Sequence, residues 1–580
     1  VAIGTPLGAA ISIAPSSAAV PVGGVVRLQG AQTLPVGAQV VGTVVPSSTV
    51  EGSVALKSRD AAGLARYAAE VSTRGNATYH QYLSVQGFRS RFGPTSQATA
   101  ALSSFLAGHG LSPTVSSNGL LVTFRGSASS VEAAFTTRLS TVRLRSGHTA
   151  TATAAPISVP ASLSPGVEAV VGLSTALHAS PSIVRAHGVT PASGSGRSAQ
   201  RGRTSSSTLQ PSACSDATSI AQQYGGLTDD QIAKAYGANG LYSQGANGTG
   251  RRVAIFELEP FSFSDVQSFA NCYLGAQVAS NITSQVQVHP VAGGQPQGTG
   301  SGEAALDVED VLALAPGASI DVYEAPNTNN GLLLEYNQIV SDNQDSVVSS
   351  SWGLCEPLAN QGAPGLTGIE NTIFEEAAVQ GQSTFAAAGD AGSSDCGQPP
   401  TLAVDDPGTQ PFVTSVGGTT IHSTASPGFE TSWNDGAEWG AGGGGLSEVW
   451  PQPAWQRSSS VPGIDAAATL ASASSVAQQQ GVANDGAFCA ASPADLSSTP
   501  CRQVPDVSAQ ADEFTGAVTI YFAGGWTTIG GTSSATPIWA ALVTDAASLQ
   551  ACQSGPGLGF ISPSLYAAAS SPASYAASFR

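Results

Sequence analysis

At 580 residues the chain is too long for one ordinary domain of about 100 to 250 residues, so two to four domains are expected. No apolar run approaches the roughly 20 residues that a membrane-spanning helix needs, which argues against a membrane span and for a soluble protein. The net charge of −18 is unevenly divided: residues 1–213 carry 15 Lys and Arg against 5 Asp and Glu, a balance of +10, and residues 214–580 carry 6 against 34, a balance of −28. Opposite charge on two parts of one chain predicts parts built to hold each other. The Arg residues of the basic part are scattered, without interleaved aromatics, which argues against nucleic acid as the partner.

In chain order, residues 1–20 are apolar and small, without an initiator Met or a basic leading segment, and read as the tail of a clipped export signal or a disordered stretch. From 21 to 181, strand-like runs (VVGTVV, LLVTF, TVRLR) alternate with helix-like ones (ARYAAEVS, ATAALSSFLAGHG, SVEAAF), predicting a compact α+β sandwich. Residues 182–213 are rich in Ser, Gly and Arg with no sustained periodicity, as expected of a flexible linker open to proteolysis.

Beyond the linker, from 214 to 580, strand-like runs (RRVAIFEL, IDVYEA, SVVSSSW, STFAAAGD, FVTSVGG) alternate with helix-like ones (SDVQSFANCYL, GEAALDVEDVLALA, LLLEYNQIVSD, IENTIFEEAAVQ). That pattern predicts an α/β domain, a parallel sheet with helices on both faces. The Gly- and Ser-rich stretch 431–505 predicts long surface loops, and GGTSSATPIWAALVTDAASL predicts a small-residue turn entering an apolar helix. All seven cysteines lie in this part at spacings too irregular for a zinc module, so disulfides are expected, with Cys355–Cys396 and Cys489–Cys501 as candidate pairs and one cysteine left over. Disulfides fit an exported, extracellular protein.

Three segments point to chemistry. Glu303 and Asp307 stand four apart on a predicted helix, so their carboxyls share a face; set among Ala304, Ala305, Leu306 and Val308 they would share a proton, one pKa being raised, as suits a base working in acid. The competing reading is a solvated acidic face that includes Glu309 and Asp310. Ser533 follows Gly530, Gly531 and Thr532 and opens the last long helix, where a helix N-terminus favours developing negative charge; on its own the motif reads equally as a helix cap. Asp390, between Gly389 and Ala391, ends an apolar strand, the place where parallel sheets build sites; held protonated it would donate to an oxyanion, and its plainer reading is a turn residue.

Together these motifs resemble the sedolisins, serine-carboxyl peptidases with a subtilisin-like fold and an acidic optimum. The family's E-x-x-x-D is met by Glu303 to Asp307, its G-T-S-x-x-x-P by Gly531 to Pro537 and its G-D-x-G by Gly389 to Gly392, with VAIFELE, SSSWG, TSVGGT and RQVPDVSAQAD as further similar stretches. The basic part resembles the family's activation propeptide in TYHQYLSVQGFRSRFGP and in the run from SNGLLVTFRG to VEAAF. The resemblance implies that Ser533 attacks the scissile carbonyl, Glu303 takes its proton, Asp307 orients Glu303, Asp390 stabilises the oxyanion, and Glu257 and Trp352 extend the hydrogen-bond chain. It implies a secreted zymogen inhibited by its own propeptide, acting on proteins or peptides as an endopeptidase or as a tripeptidyl exopeptidase; a catalytically dead binding module is the reading from another class.

Neither His289 nor His422 has the H-G-T context of an ordinary subtilisin base, and an imidazole with a pKa of roughly 6.5 would be protonated in acid. Two departures from the family stand out. Ser534 occupies a position where the family often has Ala, leaving two adjacent hydroxyls as candidates for the nucleophile. The Asp-Ile and Gly-rich calcium loop is not found before YAASFR, so calcium is expected of the full-length protein without a ligand to name here, and Cys552 is the natural candidate for a cysteine that has lost its partner.

Overall fold

A computed structural model describes residues 24–579, apart from 31–33, 36, 186–209, 296–300, 363, 397–400, 425–428, 437, 458–460, 462–499 and 554. The expectations for residues 1–20, for most of the linker and for Cys489 fall outside the described residues.

The N-terminal part is built on a four-stranded antiparallel sheet in the order Ser112–Val115, Leu121–Ser127, Thr49–Leu56, Val167–Val171. Each of its main helices is started by a short polar cap whose side chain takes a first-turn N–H: Asp60 for Ala61–Ser72, Thr95 for Ser96–Gly108 and Ser127 for Ala128–Phe135. Its own core gathers Val54, Leu102, Leu106, Val122, Val131 and Phe135. The α+β organisation expected from the alternating runs is the one observed.

The C-terminal part carries an eight-stranded sheet in the order Val286–Pro290, Ser319–Glu324, Arg252–Glu257, Val347–Ser350, Ser383–Ala387, Thr414–Ser423, Phe429–Ser432, with Val507–Gln510 also paired to Thr414–Ser423. All pairings are parallel except that of Phe429–Ser432. Strand residues alternate between two cores: Val253, Ile255, Val347 and Phe385 face Gly302–Leu314 and Thr532–Ala547, whereas Ala254, Phe256, Val348 and Ala386 face Asn329–Asp342 and Leu366–Gln380. Burial on both faces explains why these strands read as continuous apolar runs. Where 431–505 is described, the expected loops include short strands at Asn434–Gly436, Gly440–Ala441, Gly445–Pro451 and Cys501–Val504, the first two paired antiparallel with each other and the last two likewise.

Disulfides join Cys214 to Cys272 and Cys355 to Cys396. The second pair is one that spacing suggested. Cys501 is disulfide-bonded and Cys552 is a free thiol.

The two parts share a core rather than an ionic seam. Leu64, Ala68, Val71 and Phe88 pack in one cluster with Leu333, Tyr336, Ile369, Phe374 and Val379. Around it the Leu83 N–H donates to the Val379 carbonyl (2.7 Å), the Tyr82 hydroxyl to the Leu558 carbonyl (3.1 Å), the Ser53 hydroxyl to Asn330 Oδ1 (2.7 Å), and Asn118 Nδ2 lies against Asn337 Oδ1 (2.8 Å) and Glu376 Oε2 (2.7 Å). Among the described residues every ion pair lies within one part: Arg125 with Glu51, Arg252 with Asp321 and Asp345, His289 with Asp321, Arg502 with Asp506. The Arg-to-carboxylate clasp that the charge asymmetry predicted is absent from the described seam.

Candidate active site

The Gly302–Leu314 helix is capped by Ser301, whose side chain accepts the Ala304 N–H, and every residue in it is buried. The solvated-face reading of its acids therefore fails: Glu303, Asp307, Glu309 and Asp310 are all 2 % exposed or less. Burial is the chief cause of their raised pKa values. Asp307 is pushed up to about 8, with the Ser351 hydroxyl, 2.9 Å from its Oδ1, working in the opposite direction. Glu303 is raised by burial and by Asp307 beside it, and the hydroxyls of Ser533 and Ser351 lie close enough to offset part of that shift. Two neighbouring carboxyls out of water cannot both ionise cheaply, so one holds a proton.

Behind them Glu257, at the end of the central strand, is raised by burial and by Asp307 and Glu303; Trp352 Nε1 donates to its Oε2 at 2.9 Å. The Glu257 N–H in turn donates to Glu335 Oε1 at 2.7 Å. Glu257 and Trp352 are thus joined as the motifs suggested. Ser351 and Glu335 were missed; Ser351 directly precedes Trp352 in SSSWG, and Glu335 carries no signal beyond a carboxylate in an apolar helix.

Ser533 lies in the first turn of Thr532–Ala547. Pro537 sits four residues on and has no N–H, so the Ser533 carbonyl lacks its intrahelical partner; the Ser351 oxygen lies 3.4 Å from it, and the one Ser351 hydroxyl proton reaches that carbonyl when a protonated Asp307 donates to the Ser351 oxygen. Gly531 precedes the helix at φ +108°, a conformation L side chains rarely adopt, and a Cβ there would sit 2.7 Å from Asp390 Oδ2. The Ser534 hydroxyl points instead to the carbonyls of Gln510 (2.8 Å) and Gly531 (2.9 Å). Of the two adjacent hydroxyls, that of Ser533 lies against the Ser351 carbonyl (3.5 Å) and is the one close enough to influence Glu303, whose carboxyl oxygens have no hydrogen-bond partner among the described residues.

Asp390 enters from the end of Ser383–Ala387. Its Oδ1 accepts the Thr532 N–H at 2.7 Å and the Thr532 hydroxyl at 2.9 Å, while the buried Oδ2 has no partner among the described residues. Burial raises its pKa to about 6 against the lowering pull of Thr532. His289 partners Asp321 at 2.6 Å and His422 partners Thr431 at 2.8 Å, each on the sheet and neither bonded to Ser533.

The chain's own residues 180–185 run through this cleft. Ser180 and Pro181 pair antiparallel with Gly353 and Trp352, and Val184 and Arg185 with Gly530 and Ile529. Between them the Ser182 N–H donates to the Ser351 carbonyl (3.0 Å) and its carbonyl accepts the Ser533 N–H (2.8 Å).

Asp435, Asp512 and Glu513 bring carboxylate oxygens within 4.8 Å of one another. The Asp512 oxygens already accept the Phe514 and Thr515 N–H groups and the Thr420 hydroxyl, and Asp435 accepts from the Trp433 indole, so this set does not match the Gly-rich calcium loop that the resemblance implies. No step below involves calcium.

Residues 37–176 match the family "Pro-kumamolisin, activation domain". The chain is 31 % identical over 543 residues to sedolisin from Pseudomonas sp. (strain 101), covering 89 % of this chain and 79 % of that protein. It is 34 % identical over 416 residues to kumamolisin from Bacillus sp. (strain MN-32), covering 71 % of this chain and 63 % of that protein, so the match spans somewhat under two thirds of kumamolisin. Among solved structures it is similar to Pseudomonas sedolisin, a serine-carboxyl proteinase complexed with two molecules of pseudo-iodotyrostatin, at a TM-score of 0.46 and 28 % identity, over 60 % of this chain and 87 % of that one. The chain belongs to the sedolisin family of serine-carboxyl peptidases and carries that family's activation domain ahead of its peptidase part.

Proposed function

We propose that the protein is a secreted, acid-acting serine endopeptidase, held inactive by its N-terminal part until processed. Ser533 attacks the scissile carbonyl and passes its proton to Glu303. Asp307, fixed by Ser351, orients Glu303 and shares its proton. Glu257 and Trp352 hold the pair from behind, and the Ser533 N–H with a protonated Asp390 stabilises the oxyanion. A carboxylate base and a neutral Asp390 both suit a site working in acid.

The observation that carries this reading is the Ser182 carbonyl on the Ser533 N–H at 2.8 Å, with chain continuing in antiparallel pairing on both sides. A cleft that accommodates the middle of a chain favours internal cleavage over removal of tripeptides from a free amino end. Two assays test it on the acid-matured protein. An N-terminally blocked peptide should be cut, and Ser533→Ala should lose activity by on the order of 10⁴-fold or more. Turnover only of peptides with a free amino end would favour the tripeptidyl reading, and an active Ser533→Ala protein would end the assignment of the nucleophile.

A further inference from the structure

Glu257 is the last residue of its strand, and Ser351 follows directly on the neighbouring strand Val347–Ser350. Pairing between these two strands stops at Phe256 with Ser350, so Glu257 and Ser351 stand where that ladder has run out. Two consecutive residues of the Asn329–Asp342 helix, on the sheet face opposite the Gly302–Leu314 helix, hold both strand ends. Glu335 Oε1 accepts the Glu257 N–H at 2.7 Å, while the Glu257 carbonyl accepts the Ala325 N–H at 3.2 Å. Tyr336 stacks on Phe256 with ring centres 4.1 Å apart and planes at 13°, and its hydroxyl lies 2.6 Å from the Ser350 hydroxyl oxygen. Glu335 is fully buried, and its Oε2 has no partner among the described residues. A carboxyl kept out of water with one oxygen idle works against the fold. What it secures is the backbone from which the Glu257 side chain leaves to accept the Trp352 indole at 2.9 Å. A buried N–H deprived of its acceptor is costly, so without Glu335 the peptide at Glu257 would turn toward another acceptor and carry its Cβ with it.

We propose that Glu335 is a positioning residue for the reaction, acting through Glu257: it fixes the Glu257 backbone so that the side chain, held at its far end by Trp352, backs the Glu303 and Asp307 carboxyls in one orientation. The inference rests on the role given to Glu257 in the proposed function and adds the residue that aims it. Glu335 touches neither Ser533 nor the carboxyl pair through a hydrogen bond, so its effect on the reaction passes through Glu257 alone. The place calls for an acceptor of the right reach rather than for a charge. An amide of the same length serves equally, because its oxygen takes the same N–H.

The test is kcat and KM of the acid-matured protein on a peptide that the wild type cleaves, normalised to the folded fraction. Glu335→Met, close in length but without an acceptor, should lower kcat by about 10- to 100-fold and leave KM within about twofold. Glu335→Gln should bring kcat back to within about threefold of the wild type. In a Glu257→Ala background, Glu335→Met should cost about twofold at most, because the side chain it aims is gone. Where Glu335→Met does not fold, Glu335→Asp, one methylene short of the N–H, replaces it with the same expectations. An unaltered kcat without the acceptor, an equal loss in Glu335→Gln, or a full further loss in the Glu257→Ala background, as a merely structural role would give, would overturn the proposal. Glu257→Ala measured alone separates the two failures. If it loses kcat and Glu335→Met does not, only the assignment of Glu335 falls; if it keeps the wild-type kcat, the role of Glu257 in the proposed function falls and that of Glu335 with it.

Discussion

Asp390 is the residue whose protonation state decides most about the proposed chemistry. Its Oδ1 is engaged by Thr532, and its free Oδ2 donates only while it carries a proton. With the pKa raised to about 6, the sign is fixed: the donor is present below that value and lost as the pH climbs through it. Asp390→Ala should therefore lower kcat by about 10² to 10³, the cost typical of one oxyanion donor. Asp390→Asn, which can donate at every pH, should keep more activity and extend it to higher pH. A pH–kcat profile of Asp390→Asn that falls off with the wild-type alkaline limb would mean that another group sets that limb. At this scale the sequence exposed the acids and the serine, because a motif names a residue and its neighbours. It did not expose Ser351, because a serine in the one-residue break between Val347–Ser350 and Trp352–Cys355 signals nothing until the fold brings it between Asp307 and Ser533.

At the scale of elements, the Thr532–Ala547 helix owes its function to a residue that ought to break it. Proline inside a helix removes one hydrogen bond and costs about 3 kcal/mol or more, yet Pro537 frees the Ser533 carbonyl for the Ser351 hydroxyl. Pro537→Ala should restore the intrahelical bond, leave the thermal midpoint equal or higher, and lower kcat by taking the Ser533 carbonyl away from the Ser351 hydroxyl that it orients. A variant as active as the wild type would remove Ser351 from the proposed relay. The buried strands and helices were legible because burial on both sheet faces writes long apolar runs, and the capped helices because Asp60, Thr95 and Ser127 stand where a first turn needs an acceptor. The short strands within 431–505 were not: Asn434–Gly436 and Gly440–Ala441 are too short to show a period, and Gly445–Pro451 is held by pairing with the distant Cys501–Val504.

At the scale of the molecule, the charge asymmetry correctly predicted two parts that bind each other and misled about how. The seam is apolar with polar contacts, and the acids near it are driven toward their neutral forms: Glu376, which Asn118 touches, and Glu375, which feels Glu168 across the seam, are both raised to about 8, chiefly by burial. Asp307 at about 8 and Asp545 at about 9 are raised by burial inside the peptidase part. A carboxyl whose folded pKa exceeds its unfolded value of roughly 4 binds its proton more tightly when folded, so its contribution is fullest below pH 4 and is lost as the pH rises through the folded value. Acid should therefore tighten this zymogen rather than loosen it, and the N-terminal part would leave because it has been cut. In the full-length Ser533→Ala chain, which removes self-cleavage from the measurement, the thermal midpoint should fall by roughly 5–10 °C between pH 5 and pH 8. A midpoint that instead rises over that interval would show that charge pairs of lowered pKa dominate the fold, and would favour release of the N-terminal part by acid itself.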